Sequence, residues 1–79
     1  MSGASRFAAL WVLTRRQVIG TRIRRARRHA NVTQMRLAEL CGVDHRTIHR
    51  IEYGVSDPRL GLLLQISQAV GAPLADPVR

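Results

Sequence analysis

Four side chains on one short segment carry the most chemistry in this sequence: His45, Arg46, His49 and Arg50. At 100° per residue they share one side of a helix, with Ile48 and Ile51 on the other. Arg46 stands almost diametrically opposite the two isoleucines, and His49 and Arg50 flank it by about 60° and 40°. A planar guanidinium offers a fork of donors that matches phosphate oxygens and the O6 and N7 atoms of guanine. An imidazole can donate to or accept from similar partners, or ligate a metal. The i, i+4 pair His45–His49 does have a spacing used by metal sites. No glutamate lies between them, however, Cys41 falls one turn too early, and Arg46 and Arg50 would repel a cation. The segment reads as a face for anions and base edges, with no metal or cofactor implied.

The elements that must position this face are legible around it. Residues 34–54, QMRLAELCGVDHRTIHRIEYG, read as two short helices joined by a tight turn. Met35, Leu37, Ala38 and Leu40 are the apolar positions of the first, and Val43, Ile48 and Ile51 those of the second. Gly42 between them enters a left-handed turn without steric cost. Thr33 suits the N-cap of a helix over Gln34–Cys41, and Asp44 that of a helix from His45 to about Tyr53, stopped by Gly54. This spacing suits a helix-turn-helix, whose second helix is offered to the major groove of DNA.

Further elements flank this pair. Thr14 and Gln17 have the capping-box pattern, which predicts a helix from about Arg15 to Ala30. Its inward stripe is Ile19, Ile23, Ala26 and Ala30, and Arg15, Arg16, Arg22, Arg24, Arg25 and Arg28 cover the rest. Asn31-Val32 ends it. Downstream, Asp57-Pro58 reads as a cap followed by proline at the first helical position. The helix it opens, Pro58 to Val70, would turn Leu60, Leu63, Leu64, Ser67 and Val70 inward, and Gly71 ends it. Pro73 could open one last turn that Pro77 stops. The seven residues FAALWVL, 7–13, are too few to separate helix from strand. The expected fold is all-α: a compact four- to five-helix bundle containing a helix-turn-helix. Residues 1–14 read as an apolar extension, either a short helix or a dimer contact, 15–76 as the helix-turn-helix domain, and 77–79 as a tail.

Composition narrows the partners. The 79 residues carry a formal charge of +8, and all 13 basic residues are arginine. Such a charge favours a polyanion, either nucleic acid or an anionic membrane. The arginines nearly surround the first long helix rather than facing large apolar groups, which disfavours a membrane-surface role. No stretch approaches the roughly 20 apolar residues that span a bilayer. The apolar run before Arg15-Arg16 lacks a signal-peptide cleavage site, so a cytoplasmic location is expected. Cys41, the single cysteine, permits no intrachain disulfide. No serine or cysteine stands beside a credible base and no glycine-rich phosphate loop exists, so no enzyme is expected.

The segments IGTRIRRAR, VTQMRLAELCGVDHRTIHRIEYG and DPRLGLLLQISQAVG, in that order, resemble the phage Cro and repressor type of helix-turn-helix domain. This is also called the xenobiotic-response-element family, and the resemblance covers about residues 18–75. It implies a lambda-repressor-like bundle that binds double-stranded DNA, often as a homodimer on a palindromic operator, and commonly represses transcription. By the same resemblance Gln34 would hydrogen-bond a DNA phosphate and support the recognition helix. His45, Arg46 and Arg50 match its exposed reading positions, with His49 beside them, and Thr47 matches a backbone-touching position. Beside the family pattern, Thr33 and Arg36 are expected phosphate contacts, and Tyr53 could stack on the sugar-phosphate backbone or cover the core. Arg27 and Glu52 match a buried ion pair that ties the first long helix to the recognition helix. The spacing agrees, since Glu52 lies 40° from Ile48 on the edge of the core.

The sequence also departs from the family pattern. Arg36 replaces a usual acidic residue, Tyr53 a small or polar one, and Gly61 weakens the last helix by up to about 1 kcal/mol. Residues after Gly71 are too few for a full fifth helix, which in many relatives builds the dimer contact. Phe7, Leu10, Trp11 and Leu13 would be costly in water, at roughly 25 cal/mol per Å² of apolar surface. They could cover the chain's own core, pair with a second subunit, or meet a membrane or another protein. The last option carries the competing reading, an antitoxin or protein-interaction module of a toxin–antitoxin pair that also binds its own promoter.

Overall fold

The computed structural model describes residues 2–71, with side chains from residue 6 onward. Among these residues the chain forms four helices and no strand: α1 Ser2–His29, α2 Gln34–Cys41, α3 His45–Glu52 and α4 Leu60–Val70. The last turn expected from Pro73, any fifth helix and the tail 77–79 lie outside the described residues.

The first departure from the sequence reading is the length of α1. It runs unbroken for 28 residues, straight through Thr14 and Arg15. A capping box acts only where the backbone leaves the helix, and nothing between residues 6 and 28 forces that. The segment holds no proline, a single glycine and many alanines, leucines and arginines, all good helix formers. The helix ends where Asn31 takes a left-handed φ of 59°. There the Val32 N–H donates to the Arg27 carbonyl and the Asn31 N–H to the Arg28 carbonyl, both at 3.0 Å. Ala30 falls past the helix end and is exposed instead of joining the inward stripe.

The core lies where the C-terminal half of α1 meets the other three helices. Ile23, Leu37, Ala38, Cys41, Ile48, Ile51, Ile66 and Val70 are buried, with Ile19, Ala26, Val43, Leu62 and Leu63 packed around them. Ahead of this core the N-terminal half of α1 projects. Phe7, Leu10 and Trp11 are 75%, 62% and 63% exposed, so they do not fold over the chain's own core.

Two further expectations change at α4. Asp57-Pro58 does not open the helix; Arg59 is the N-cap residue, extended at φ −69° and ψ 152°, without a side-chain hydrogen bond. Pro58 lines a small pocket with Arg16, Ile19, Ile51 and Leu63, so the chain is still crossing the bundle at that point. The inward face is also rotated. Ile66 and Val70 are buried, whereas Leu60 and Leu64 stand 71% and 62% exposed. Apolar residues occur on nearly every side of LGLLLQISQAV, so period alone offers two competing faces.

Gly20 makes the α1–α3 crossing possible. A Cβ there would sit 2.5 Å from the carbonyl oxygens of both Ile51 and Glu52. No side chain fits between α1 and the end of α3.

Candidate nucleic-acid interface

Local backbone chemistry sets α3 in place. Gly42 takes φ 67° and ψ 33° at the end of α2, and the Val43 N–H returns to the Ala38 carbonyl at 3.0 Å. Asp44 then caps α3, its Oδ2 accepting from the Arg46 N–H at 3.1 Å. Thr33 does the same for α2, with Oγ1 accepting from the Arg36 N–H at 3.0 Å. Both caps satisfy donors that a helix start leaves without a partner.

Ile48, Ile51 and Glu52 are buried, which fixes the rotation of α3. His45, Arg46, His49 and Arg50 are all exposed together on the opposite side, and Thr47 is half-buried. The helix is eight residues long, and with side chains it is roughly 10–12 Å across, which fits the ~12 Å width of a DNA major groove. Its surface therefore offers two guanidinium forks and two imidazoles on a convex rod of suitable size.

A hydrogen-bonded chain links this face to the bundle interior. Arg27 Nε donates to Glu52 Oε2 at 2.6 Å and Arg27 Nη2 to Oε1 at 3.1 Å. A third Arg27 nitrogen, Nη1, donates to the Val32 carbonyl at 3.0 Å. Glu52 is 1% exposed, so this two-pronged pairing keeps a buried carboxylate compensated. Gln34 Nε2 donates to Glu52 Oε1 at 2.9 Å, and Gln34 Oε1 lies 2.9 Å from His45 Nε2. A carboxylate only accepts, so the amide group of Gln34 must face Glu52 and its carbonyl must face His45. His45 Nε2 therefore donates to Gln34. Gln34, expected on a phosphate, thus first serves as the link between the ion pair and the first residue of α3.

Tyr53 extends the surface past the end of α3. Its ring centroid is 4.7 Å from that of His49, tilted by 41°. The Arg24 guanidinium lies 4.9 Å over the other part of the stack, on the Tyr53 ring, and Arg24 Nη1 donates to the Glu52 carbonyl at 3.4 Å. That places a cation at a helix C-terminus, where the dipole favours it. Sequence reasoning counted Arg24 only among the surface arginines. The signal was its position, four residues after Gly20 and three before Arg27, on the edge of the face that meets α3. Arg36 pairs with Glu39 at 3.1 Å with both side chains well exposed, a bond weak enough to exchange for a phosphate.

Burial pushes the Cys41 thiol above its ordinary value, which keeps it protonated and unreactive in the core. Among the described residues no group of three or more His, Cys, Asp or Glu side chains could hold a metal ion. No described helix is long and apolar enough to cross a membrane.

A family model described as a helix-turn-helix domain matches residues 18–78. The chain belongs to that family, consistent with the Cro and repressor type, and its class is that of DNA-binding regulators. No curated protein matches it.

Proposed function

We propose that the chain is a sequence-specific reader of double-stranded DNA that represses transcription by occupying a promoter. The α3 helix enters the major groove, with Arg46 and Arg50 on guanine edges and His45 and His49 on neighbouring bases. Gln34, Thr33, Thr47, Arg36 and Tyr53 approach phosphates on either side. The protein acts as a homodimer on a palindromic operator, in the manner of lambda-repressor-like bundles. One observation carries this reading: the four donor-rich side chains of α3 are exposed together while Ile48 and Ile51 are buried behind them. The formal charge of +8 supplies the non-specific attraction that brings such a face to DNA.

The test is selection from random duplexes at near-physiological salt, followed by sequencing of what the protein retains. An enriched palindrome with guanines in each half-site and centres about 10 bp apart is expected. Retention without an enriched motif would leave only the electrostatic attraction and overturn sequence-specific reading.

A further inference from the structure

The geometry points to a second copy of this chain as the partner of the projecting half of α1, paired antiparallel through Phe7, Leu10, Trp11, Thr14 and Val18. This inference rests on the DNA-reading proposal for its purpose, though not for its chemistry. At 100° per residue these five residues form one stripe, on the side of α1 opposite Ile23 and Arg27. A shallow groove lined by Thr14, Gln17, Val18, Thr21, Arg22 and Arg25 continues the stripe toward the bundle.

Four physical arguments favour a second copy. The first is area. Phe7, Leu10 and Trp11 are 75%, 62% and 63% exposed. Together they leave on the order of 400 Å² of apolar surface in water, as large as the largest patch on a typical monomer. Two such faces bring together roughly 800 Å², and Thr14 and Val18 add to it, which approaches the ~1,000 Å² expected of a specific interface. The second is charge. From Phe7 to Thr14 there is no ionisable side chain, the longest such run in α1, so here a basic chain can meet itself without setting arginine against arginine.

The third argument is spacing. Phe7 is the most exposed residue of the stripe, and the groove beside Val18 is the place for it on a second copy. That register puts the centre of symmetry between residues 12 and 13. Ile23, at the middle of the bundle contact, then lies ~16 Å from the centre along the helix. With ~8–10 Å between packed helix axes, the two α1 axes stand roughly 33 Å apart at Ile23, and the bundles on their outer sides somewhat farther. One turn of DNA, the distance between adjacent half-sites, is about 34–36 Å. The fourth is orientation. Antiparallel helices are related by a two-fold axis perpendicular to their common plane. Arg24, beside Tyr53 and His49, sits about a quarter turn around α1 from the stripe. The reading sides of both copies therefore look the same way along the axis.

The experiment uses the full chain at micromolar concentration. Sedimentation should give the mass of two chains, and emission from Trp11, the only tryptophan, should shift to the red on dilution. Phe7→Glu and Trp11→Glu, both on surface positions, should sediment as one chain with helical circular dichroism retained. On a duplex with a single half-site they should bind as the parent does. On the palindrome they should lose roughly 10²-fold. A parent chain that remains single, with its Trp11 emission unchanged by concentration, would overturn the proposal and return the stripe to a foreign protein partner. A dimer that survives both variants would also overturn it, because its contact lies elsewhere. A chain that pairs through the stripe but enriches no DNA motif would uphold the interface while removing the DNA-reading proposal.

Discussion

The two halves of α1 have the same backbone and opposite circumstances. From Arg16 to His29 the helix is held by Gly20 against the end of α3, by Ile23 in the core and by Arg27 on Glu52. From Phe7 to Leu13 it has only its own hydrogen bonds, and its largest apolar side chains face solvent. Isolated helices of such length are marginal in water, so the N-terminal half leans on the nucleus that packing supplies to the C-terminal half. The contrast teaches that secondary structure here is shared between the halves while stability is not.

The largest effect expected from breaking that contrast lies at Glu52. Glu52→Ala leaves the Arg27 guanidinium buried without its partner and should destabilise folding by about 3–5 kcal/mol, read from urea unfolding followed by circular dichroism. No change in midpoint would mean that Arg27 reaches water and that the pair is not a tether. Gly20→Ala comes next. Its methyl meets two carbonyl oxygens that belong to α3, and overpacking of this kind costs about 1–3 kcal/mol. Ala9→Gly, in the projecting half, should leave the global midpoint almost unmoved in dilute protein, since that segment frays independently. Equal losses at positions 9 and 20 would erase the distinction between the halves.

At the reading face, Arg46→Ala should weaken the selected operator by about 1–3 kcal/mol and relax preference at one position per half-site. Gln34→Ala should weaken every sequence through the lost phosphate contact and, by loosening His45, also blur preference at the base His45 meets, because Gln34 joins His45 to Glu52. Intact specific binding by Arg46→Ala would show that α3 is turned differently on DNA. The smallest effect concerns Cys41. Its thiol sits above its ordinary pKa through burial, so it is less ionised than a free thiol at any pH near 8. Alkylation of the native protein should lag behind that of the urea-unfolded chain across this range. Equal rates would place Cys41 at the surface.

How much of this is legible in the sequence depends on how local each feature is. Gly42, Asp44 and Thr33 were readable because a left-handed turn and an N-cap depend on one residue and its immediate neighbours. The face of α3 was readable because it has only two apolar anchors, Ile48 and Ile51, and they agree on one direction. Arg27 and Glu52, named from the family pattern, do meet. The face of α4 differs from the sequence expectation for the converse reason: leucines on several sides give no unique direction, and only α1 and α2 select Ile66 over Leu64. Thr14 matches a cap by residue type, but a cap forms only where the backbone has already left the helix, and α1 runs through it. Gly20 gave no sequence signal of its role, since its value lies in the two α3 carbonyls that pass it 31 or more positions later in the chain.

The sequence by itself determined the helix-turn-helix and the residues its second helix turns outward. Those follow from dihedral preference, capping and a 3.6-residue period, all of which act within a few residues. Only the tertiary structure decided which side of α4 is buried, that Gln34 joins His45 to the ion pair, and that among the described residues Phe7, Leu10 and Trp11 of α1 stay exposed. Each of these depends on distance between segments far apart in sequence, and neither residue type nor spacing along the chain encodes that distance locally.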